Sequence, residues 1–192
     1  MPNSTSQVVV AYDFTQSGRA ALHRAIALAN RDPSFVLQVI CAIDPHGQVP
    51  PLPHSGRVDY QYAEQVQAAL TDEMKRELAL AEITDRVHFA VHARIGKPAE
   101  EILALAREIG ADLVIIGSKG AMGLERWVLG SVSEHVVREA GCTVEVARPK
   151  TYEHVKLQQI TEHPSDGSHY VPPHRYTYDA HLNLRPADWP LY

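Results

Sequence analysis

The residues best suited to chemistry are glycines and a hydroxyl flanking one loop. In GSKGAMGLERWVLGS, Gly117 is followed after two residues by Gly120, after nine more by Gly130, and then by Ser131. An apolar run, Leu113–Ile116, precedes the loop and reads as a buried strand. Ser131–Ala140 follows it and reads as a helix. Glycine lets the backbone approach an anion closely. A helix start adds unpaired N–H groups and the positive end of its dipole. Such a layout suits a bound phosphate. It is not a Walker A loop, because no Gly-Lys-Ser/Thr closes it, and it is not the Gly-x-Gly-x-x-Gly that follows the first strand of a dinucleotide fold.

The elements that must position this loop are legible from periodicity. Val8–Tyr12 is a short apolar strand, and Thr15 or Ser17 can cap the helix after it. In that helix Leu22, Ile26 and Ala29 recur at helical spacing. Phe35–Ile43 is a second, nearly continuous apolar strand. Residues 44–59 are rich in Pro and Gly and read as a loop. Tyr62, Val66, Leu70, Met74 and Leu78 repeat every four residues, which predicts a long amphipathic helix over Asp59–Ile83. Val87–Ile95 alternates, with Val87, Phe89, Val91, Ala93 and Ile95 on one face. Pro98 suits the first position of a third helix, and Gly110 ends it. Thr143–Ala147 is a fifth strand. Strict alternation of apolar strands with helices predicts an α/β fold: a parallel open sheet covered by helices on both faces. Ligands of such sheets bind beyond the carboxyl ends of the strands.

Residues 7–148 resemble the universal stress protein family, in its ATP-binding form. The resemblance is carried by the Gly-x2-Gly-x9-Gly-Ser spacing and by Asp13 closing the first strand. Asp44 ending the second strand, Gly96-Lys-Pro-Ala-Glu-Glu-Ile-Leu103, and Ala111–Ser118 before the glycine loop also carry it. It implies a Rossmann-like, adenine nucleotide α-hydrolase-like fold, five strands in the order 3-2-1-4-5. It also implies a homodimer through the fifth strand, and ATP with Mg2+ held mainly by the phosphates. It implies that Asp13 binds the adenosine moiety, that the Ala42 backbone pairs with the adenine edge, and that Gly117 approaches the ribose. Gly120, Gly130, Ser131 and the N–H of Val132 would surround the phosphates.

Local readings stand beside these roles. Asp13 can pair with N–H groups of the turn before the first helix. Ser131-Val-Ser-Glu134 fits a capping box, in which Ser131 bonds the Glu134 N–H and Glu134 reaches back. Lys119 and Arg126 can neutralise phosphate oxygens or stand as solvated loop charges. Met122 and Trp127 read as packing residues. No paired-carboxylate layout, Gly-x-Ser-x-Gly elbow or His-Glu-x-x-His cluster is present. No metal site of the protein's own is expected. The expectation is a nucleotide-dependent regulator, at most a slow ATPase. Enzymes of the wider α-hydrolase-like group carry Ser-Gly-Gly-x-Asp-Ser after the first strand, whereas here it reads Asp13-Phe-Thr-Gln-Ser-Gly18. Two other readings are a sensor of AMP or a cyclic nucleotide, and a scaffold that binds no nucleotide.

The 192 residues suit one nucleotide-binding domain, 1–150, with a C-terminal extension, 151–192. A net charge of −5 argues against nucleic acid as a partner. No apolar run reaches a membrane span. The start shows no signal-peptide pattern. Cys41 and Cys142 read as buried free thiols, and the cytoplasm is the expected compartment. The extension holds five His, five Tyr and five Pro, with little period. His169–Tyr178 reads as extended, and the segment reads as an arm that docks on its own domain, a dimer mate or a protein partner. His163, His169, His174 and His181 are too irregularly spaced for a preformed metal site. Glu145 interrupts Val144 and Val146 in the last strand, where an inward charge would oppose edge pairing.

Overall fold

A computed structural model describes residues 5–47, 49–53, 57–83, 86–118, 129–149, 176–179 and 183–186. The chain divides into two compact units, Met1–Pro149 and Lys150–Tyr192. In the first, β1 (Ser6–Ala11), α1 (Gln16–Arg31), β2 (Phe35–Ile43), α2 (Tyr60–Leu80), β3 (His88–Ile95), α3 (Pro98–Ile109), β4 (Leu113–Gly117), α4 (Ser131–Glu139) and β5 (Thr143–Ala147) follow in strict alternation. All strand pairs are parallel, in the order β3-β2-β1-β4-β5. Fold class and strand order are as the sequence and the resemblance imply. In the second unit, β6 (Tyr176–Asp179) and β7 (Asn183–Pro186) pair antiparallel, a hairpin the sequence reading did not anticipate.

Central β1 is buried on both sides, and Val8, Val9 and Val10 are each 0% exposed. Val8, Val10 and Tyr12 join Leu37, Val39 and Cys41 of β2 against Leu22 and Ala25 of α1 and Val66, Leu70 and Met74 of α2. Val9 and Ala11 belong to the opposite layer, with Ile40, Val114 and Ile116 against Ile102 and Leu105 of α3 and Val136 of α4. Full burial of each large aliphatic side chain contributes about 1.5–3 kcal/mol.

Local chemistry sets the helix ends. Thr15 caps α1, its Oγ1 accepting the Gly18 N–H at 3.1 Å. Asp59 caps α2, its Oδ1 accepting the Tyr62 N–H at 3.0 Å. Pro98 opens α3, and Gly110, at φ 62°, closes it in the left-handed conformation. Ile95 departs from its expected inner face and is exposed at the end of β3.

The α1–α2 contact also contains a polar layer. Glu73 and Glu77 of α2 are only 4% and 7% exposed. The Tyr12 hydroxyl donates to Glu73 Oε1 at 2.8 Å, and Arg19 donates to the same oxygen at 3.1 Å. Arg76 also pairs with Glu73. Arg19 Nε lies 3.3 Å from Glu77 Oε1, and His23 Nε2 is 2.6 Å from Glu77 Oε2. Burial pushes the Tyr12 hydroxyl well above the phenol range, reinforced by Glu73, so Tyr12 stays a donor. Burial alone would raise the Glu73 carboxyl. The hydrogen bonds from Tyr12 and Arg19, with the charges of Arg76 and Arg19, outweigh it and hold that carboxyl below the usual carboxylate range.

One expectation is corrected here. The capping box does not form, because Gly130 is the cap and its carbonyl already takes the Glu134 N–H at 2.9 Å. Glu134 instead pairs forward with Arg138 at 2.7 Å. Glu145, in the last strand, is paired within its own chain. It receives a hydrogen bond from Arg24 Nε of α1 at 2.5 Å, while Val144 and Val146 pack with the α3–α4 layer.

The ion pairs give two predictions. Glu73 binds its proton more weakly folded than unfolded, so the unfolded chain takes up more protons as pH falls through about 4.5. Its contribution is complete above that pH and is lost below it, as pH falls through the lowered folded value. Urea unfolding at a series of pH values should show Glu73→Gln costing about 1–3 kcal/mol at neutral pH. The wild-type decline below pH 4.5 should be shallower in the variant; identical slopes would remove Glu73 as its source. Glu145→Ala, which breaks a half-exposed pair, should cost less than about 1 kcal/mol and less still in high salt. A larger loss would mean that Glu145 does more than pair with Arg24.

Candidate functional site

β1 and β4 lie side by side, with Val8 opposite Leu113 and Val10 opposite Ile115. From β1 the chain leads through α1 to β2, and from β4 through α4 to β5, so it departs to opposite sides of this pair. That divergence opens a crevice at the carboxyl ends of the strands, where ligands of such sheets bind. Asp13 stands at one lip and Gly117 at the other.

The Asp13 lip is a tight, tied turn. Asp13 Oδ1 accepts the Thr15 N–H at 3.1 Å and the Thr15 hydroxyl at 2.5 Å. The local helix-entry role is therefore present. A Cβ on Gly18 would lie 2.5 Å from that same oxygen, so only glycine lets the carboxylate sit against the first turn of α1. Between them Phe14 holds φ 61°, a conformation that costs a bulky residue roughly 1–2 kcal/mol. Its ring packs edge-on to Tyr12 at 5.0 Å.

Ala42 lies near the carboxyl end of β2. The Ile40 carbonyl accepts the Tyr12 N–H at 2.9 Å, and Ile43 faces β3, where its carbonyl accepts the Gly96 N–H at 2.9 Å. Alternation turns the Ala42 N–H and C=O the same way as those of Ile40, toward β1. The β1–β2 register ends at Ala11 opposite Ile40, so the Ala42 groups face the space beyond it.

On the β4 lip, a Cβ on Gly117 would stand 2.6 Å from the Ser17 carbonyl carbon. Glycine here lets the end of β4 and the start of α1 meet. Ser118 and Gly130 then close the ends of the glycine loop. The Gly130 N–H donates to the Ser118 carbonyl at 2.9 Å, and the Ser133 hydroxyl lies 2.9 Å from the Gly130 carbonyl and 3.2 Å from the Ser118 carbonyl. Ser131 and Val132 open α4, and the Ser131 hydroxyl is exposed. The first N–H groups of α4 have no carbonyl one turn earlier within the helix to accept them. Lys119, Gly120, Met122, Arg126 and Trp127 lie outside the described residues.

Sequence reasoning missed Ser118, Ser133 and Phe14. The two serines look like ordinary loop and helix hydroxyls, and nothing in a lone Phe announces a left-handed backbone. Cys41, beneath the Asp13 turn, is no nucleophile. Burial, with the Asp13 charge, pushes its thiol up to about 12. Among the described residues no group of three or more His, Cys, Asp or Glu could hold a metal ion. No described helix is long and apolar enough to cross a membrane.

Comparison with known proteins agrees with this architecture. A putative universal stress protein of Staphylococcus epidermidis is 29% identical over 147 residues, covering 76% of this chain and 85% of that one. A universal stress protein of Methanocaldococcus jannaschii is 47% identical over 53 residues, covering 28% of this chain and 31% of that one. The solved structure of UspA from Lactobacillus plantarum superposes with a TM-score of 0.59 at 23% identity, over 75% of this chain and 98% of that one. A universal stress protein in complex with cAMP superposes with a TM-score of 0.52 at 20% identity, over 75% and 97%. The profile of the universal stress protein family matches residues 5–148. It spans every strand of the five-stranded sheet and both lips of the crevice, and the chain belongs to the universal stress protein family.

Proposed function

We propose that this chain is an ATP-binding regulator of the stress response, at most a slow ATPase, working in the cytoplasm as a homodimer. Asp13 and the Ala42 backbone would take the nucleoside. Gly117 would approach the ribose, and Gly120, Gly130, Ser131 and the Val132 N–H would take the phosphates, aided by Lys119 and Arg126. The observation that carries this reading is the Gly130–Ser118 bond. It returns the glycine loop to the end of β4, so that the first N–H groups of α4 stand at the β1–β4 crevice, as anion binding requires.

Two described groups support this reading. Asp13 keeps Oδ2 beyond the Oδ1 that holds Thr15, and a carboxylate accepts from ribose hydroxyls or an adenine amine. Backbone groups at Ala42 offer a donor and an acceptor side by side, which suits the adenine edge. Bound ATP would supply a polyphosphate with a divalent ion held mainly by its own oxygens. Its binding would order residues 117–130 and 44–59 and change a surface that a partner reads, with 151–192 as the docking arm. A monophosphate is the second reading, favoured by the relative solved with cAMP. It would use Asp13 and Gly117 and little of the 120–131 loop.

Calorimetric titration of nucleotide-free protein with Mg-ATP, AMP and cAMP separates these readings. ATP should bind at least about tenfold more tightly than AMP, a difference of about 1.4 kcal/mol. Gly130→Ala should erase that margin without unfolding the protein, because φ −64° and ψ 153° suit alanine. Equal affinity for all three ligands would favour the monophosphate reading, and no binding of any would end both. Asp13→Asn keeps an oxygen for Thr15 and removes the charge. It should weaken all three ligands by a similar factor, and unchanged affinities would exclude the carboxylate from the site. Hydrogen exchange in 44–59 and 117–130 should slow on adding ATP; unchanged exchange in both would end the switching role.

A further inference from the structure

The turn that carries Asp13 is strained, and it is held from a distance. Phe14 occupies the left-handed region at φ 61° with no glycine to ease it. Strain of this kind persists only where the surroundings over-determine it, and it gathers at functional sites. Here the surroundings can be named. The Phe14 ring lies edge-on to Tyr12, 5.0 Å between centroids, and packs against the α1–α2 core. Tyr12 is 3% exposed, and its hydroxyl donates to Glu73 Oε1 of α2 at 2.8 Å. Glu73 is itself held by Arg19 and Arg76. Upward from Phe14, Asp13 Oδ1 accepts both the N–H and the hydroxyl of Thr15, and Thr15 Oγ1 accepts the Gly18 N–H. One continuous path thus runs from α2 through Tyr12 and Phe14 to the Asp13 carboxylate.

We infer that Tyr12, Phe14 and Glu73 are positioning residues: a buried clamp from α2 aims the Asp13 carboxylate, and so sets affinity for the nucleoside end of the ligand. The ligand half of this inference rests on the nucleotide-binding reading above. None of the three residues need touch the ligand. The clamp bears directly on the Asp13 lip, whereas the β4 lip is closed by bonds among Ser118, Gly130 and Ser133 and meets the first lip through the Ser17 and Ser118 hydroxyls, 3.4 Å apart. Nucleoside and phosphate affinities should therefore respond differently when the clamp is cut.

Tyr12→Phe removes one hydroxyl and keeps the ring against Phe14. Phe14→Gly removes the ring and frees the backbone angle. Each is compared with wild type by titration with adenosine, Mg-ATP and inorganic tripolyphosphate. Tyr12→Phe should lose about three- to tenfold in affinity for adenosine and ATP, the effect of one net hydrogen bond, Phe14→Gly should lose affinity for the same two ligands, and both should lose less for tripolyphosphate. A uniform loss across the three ligands would mean general loosening and would overturn the inference, as would no loss at all. A ligand-free measurement tests the clamp by itself. Amide exchange at Thr15 and Gly18, whose N–H groups bond Asp13 Oδ1 and Thr15 Oγ1, should quicken about three- to tenfold in Tyr12→Phe. Amides in the centre of β2 should keep their wild-type rates. Unchanged exchange at both positions would overturn the clamp whatever the ligand data say. A wild-type protein that binds neither adenosine nor ATP would instead overturn the nucleotide reading, leaving exchange to decide the clamp.

Discussion

The structure depends on β1 being the middle strand, covered on both faces. A strand in that place can carry no outward-facing polar side, and Val8, Val9 and Val10 satisfy the demand without exception. Once β1 is central, the rest follows by connection. The chain must lead away from it toward β2 and return to its other side as β4. The layers then divide, with α1 and α2 packing on one face and α3 and α4 on the other. The crevice at the carboxyl ends of β1 and β4 is a by-product of that division. Site and core are therefore one problem for this chain: the valines that bury β1 also determine where Asp13 emerges.

The two helical layers are built differently. The α3–α4 layer is an aliphatic contact, with Ile102, Leu105 and Val136 on Val9, Val114 and Ile116. The α1–α2 layer adds carboxylates, guanidinium groups and a histidine within reach of one another. Apolar packing is indifferent to small rotations, whereas hydrogen bonds fix both distance and direction. The layer with directional bonds is the one beneath the Asp13 turn.

Much of this was legible in the residues. Phe35–Ile43 and Thr143–Ala147 are strands over the spans their mostly apolar runs mark, because a strand buried between helices needs apolar residues on both faces, with Gln38 and Glu145 the interruptions. Thr15 and Pro98 begin helices as their chemistry predicts. Strand order was another matter. Alternation alone gives a parallel sheet, and the order 3-2-1-4-5 came from resemblance to a family. The capping box misled because Ser-x-x-Glu describes a cap in isolation, and here Gly130, its N–H tied to the Ser118 carbonyl, caps the helix one residue earlier. The α1–α2 polar layer was readable and went unread. Glu73 and Glu77 share one face of α2 with Val66 and Leu70, while Arg19 and His23 stand four apart on α1. Two acids at that spacing facing two bases at the same spacing are a signature of paired helices. The left-handed Phe14 has no signal in the sequence.

The bond between the Ser118 carbonyl and the Gly130 N–H makes the intervening chain an excursion with a fixed gate. Strand β4 and helix α4 are joined there directly, as though nothing lay between them. The 2.9 Å closure at its base fixes both ends of the excursion against the sheet. Doubling a loop closed in this way costs only about 0.6 kcal/mol in chain entropy. The same gate would let a guest segment whose ends meet enter there without altering the strand and helix on either side. The scaffold would then fold around its own core while the guest occupies the mouth of the crevice.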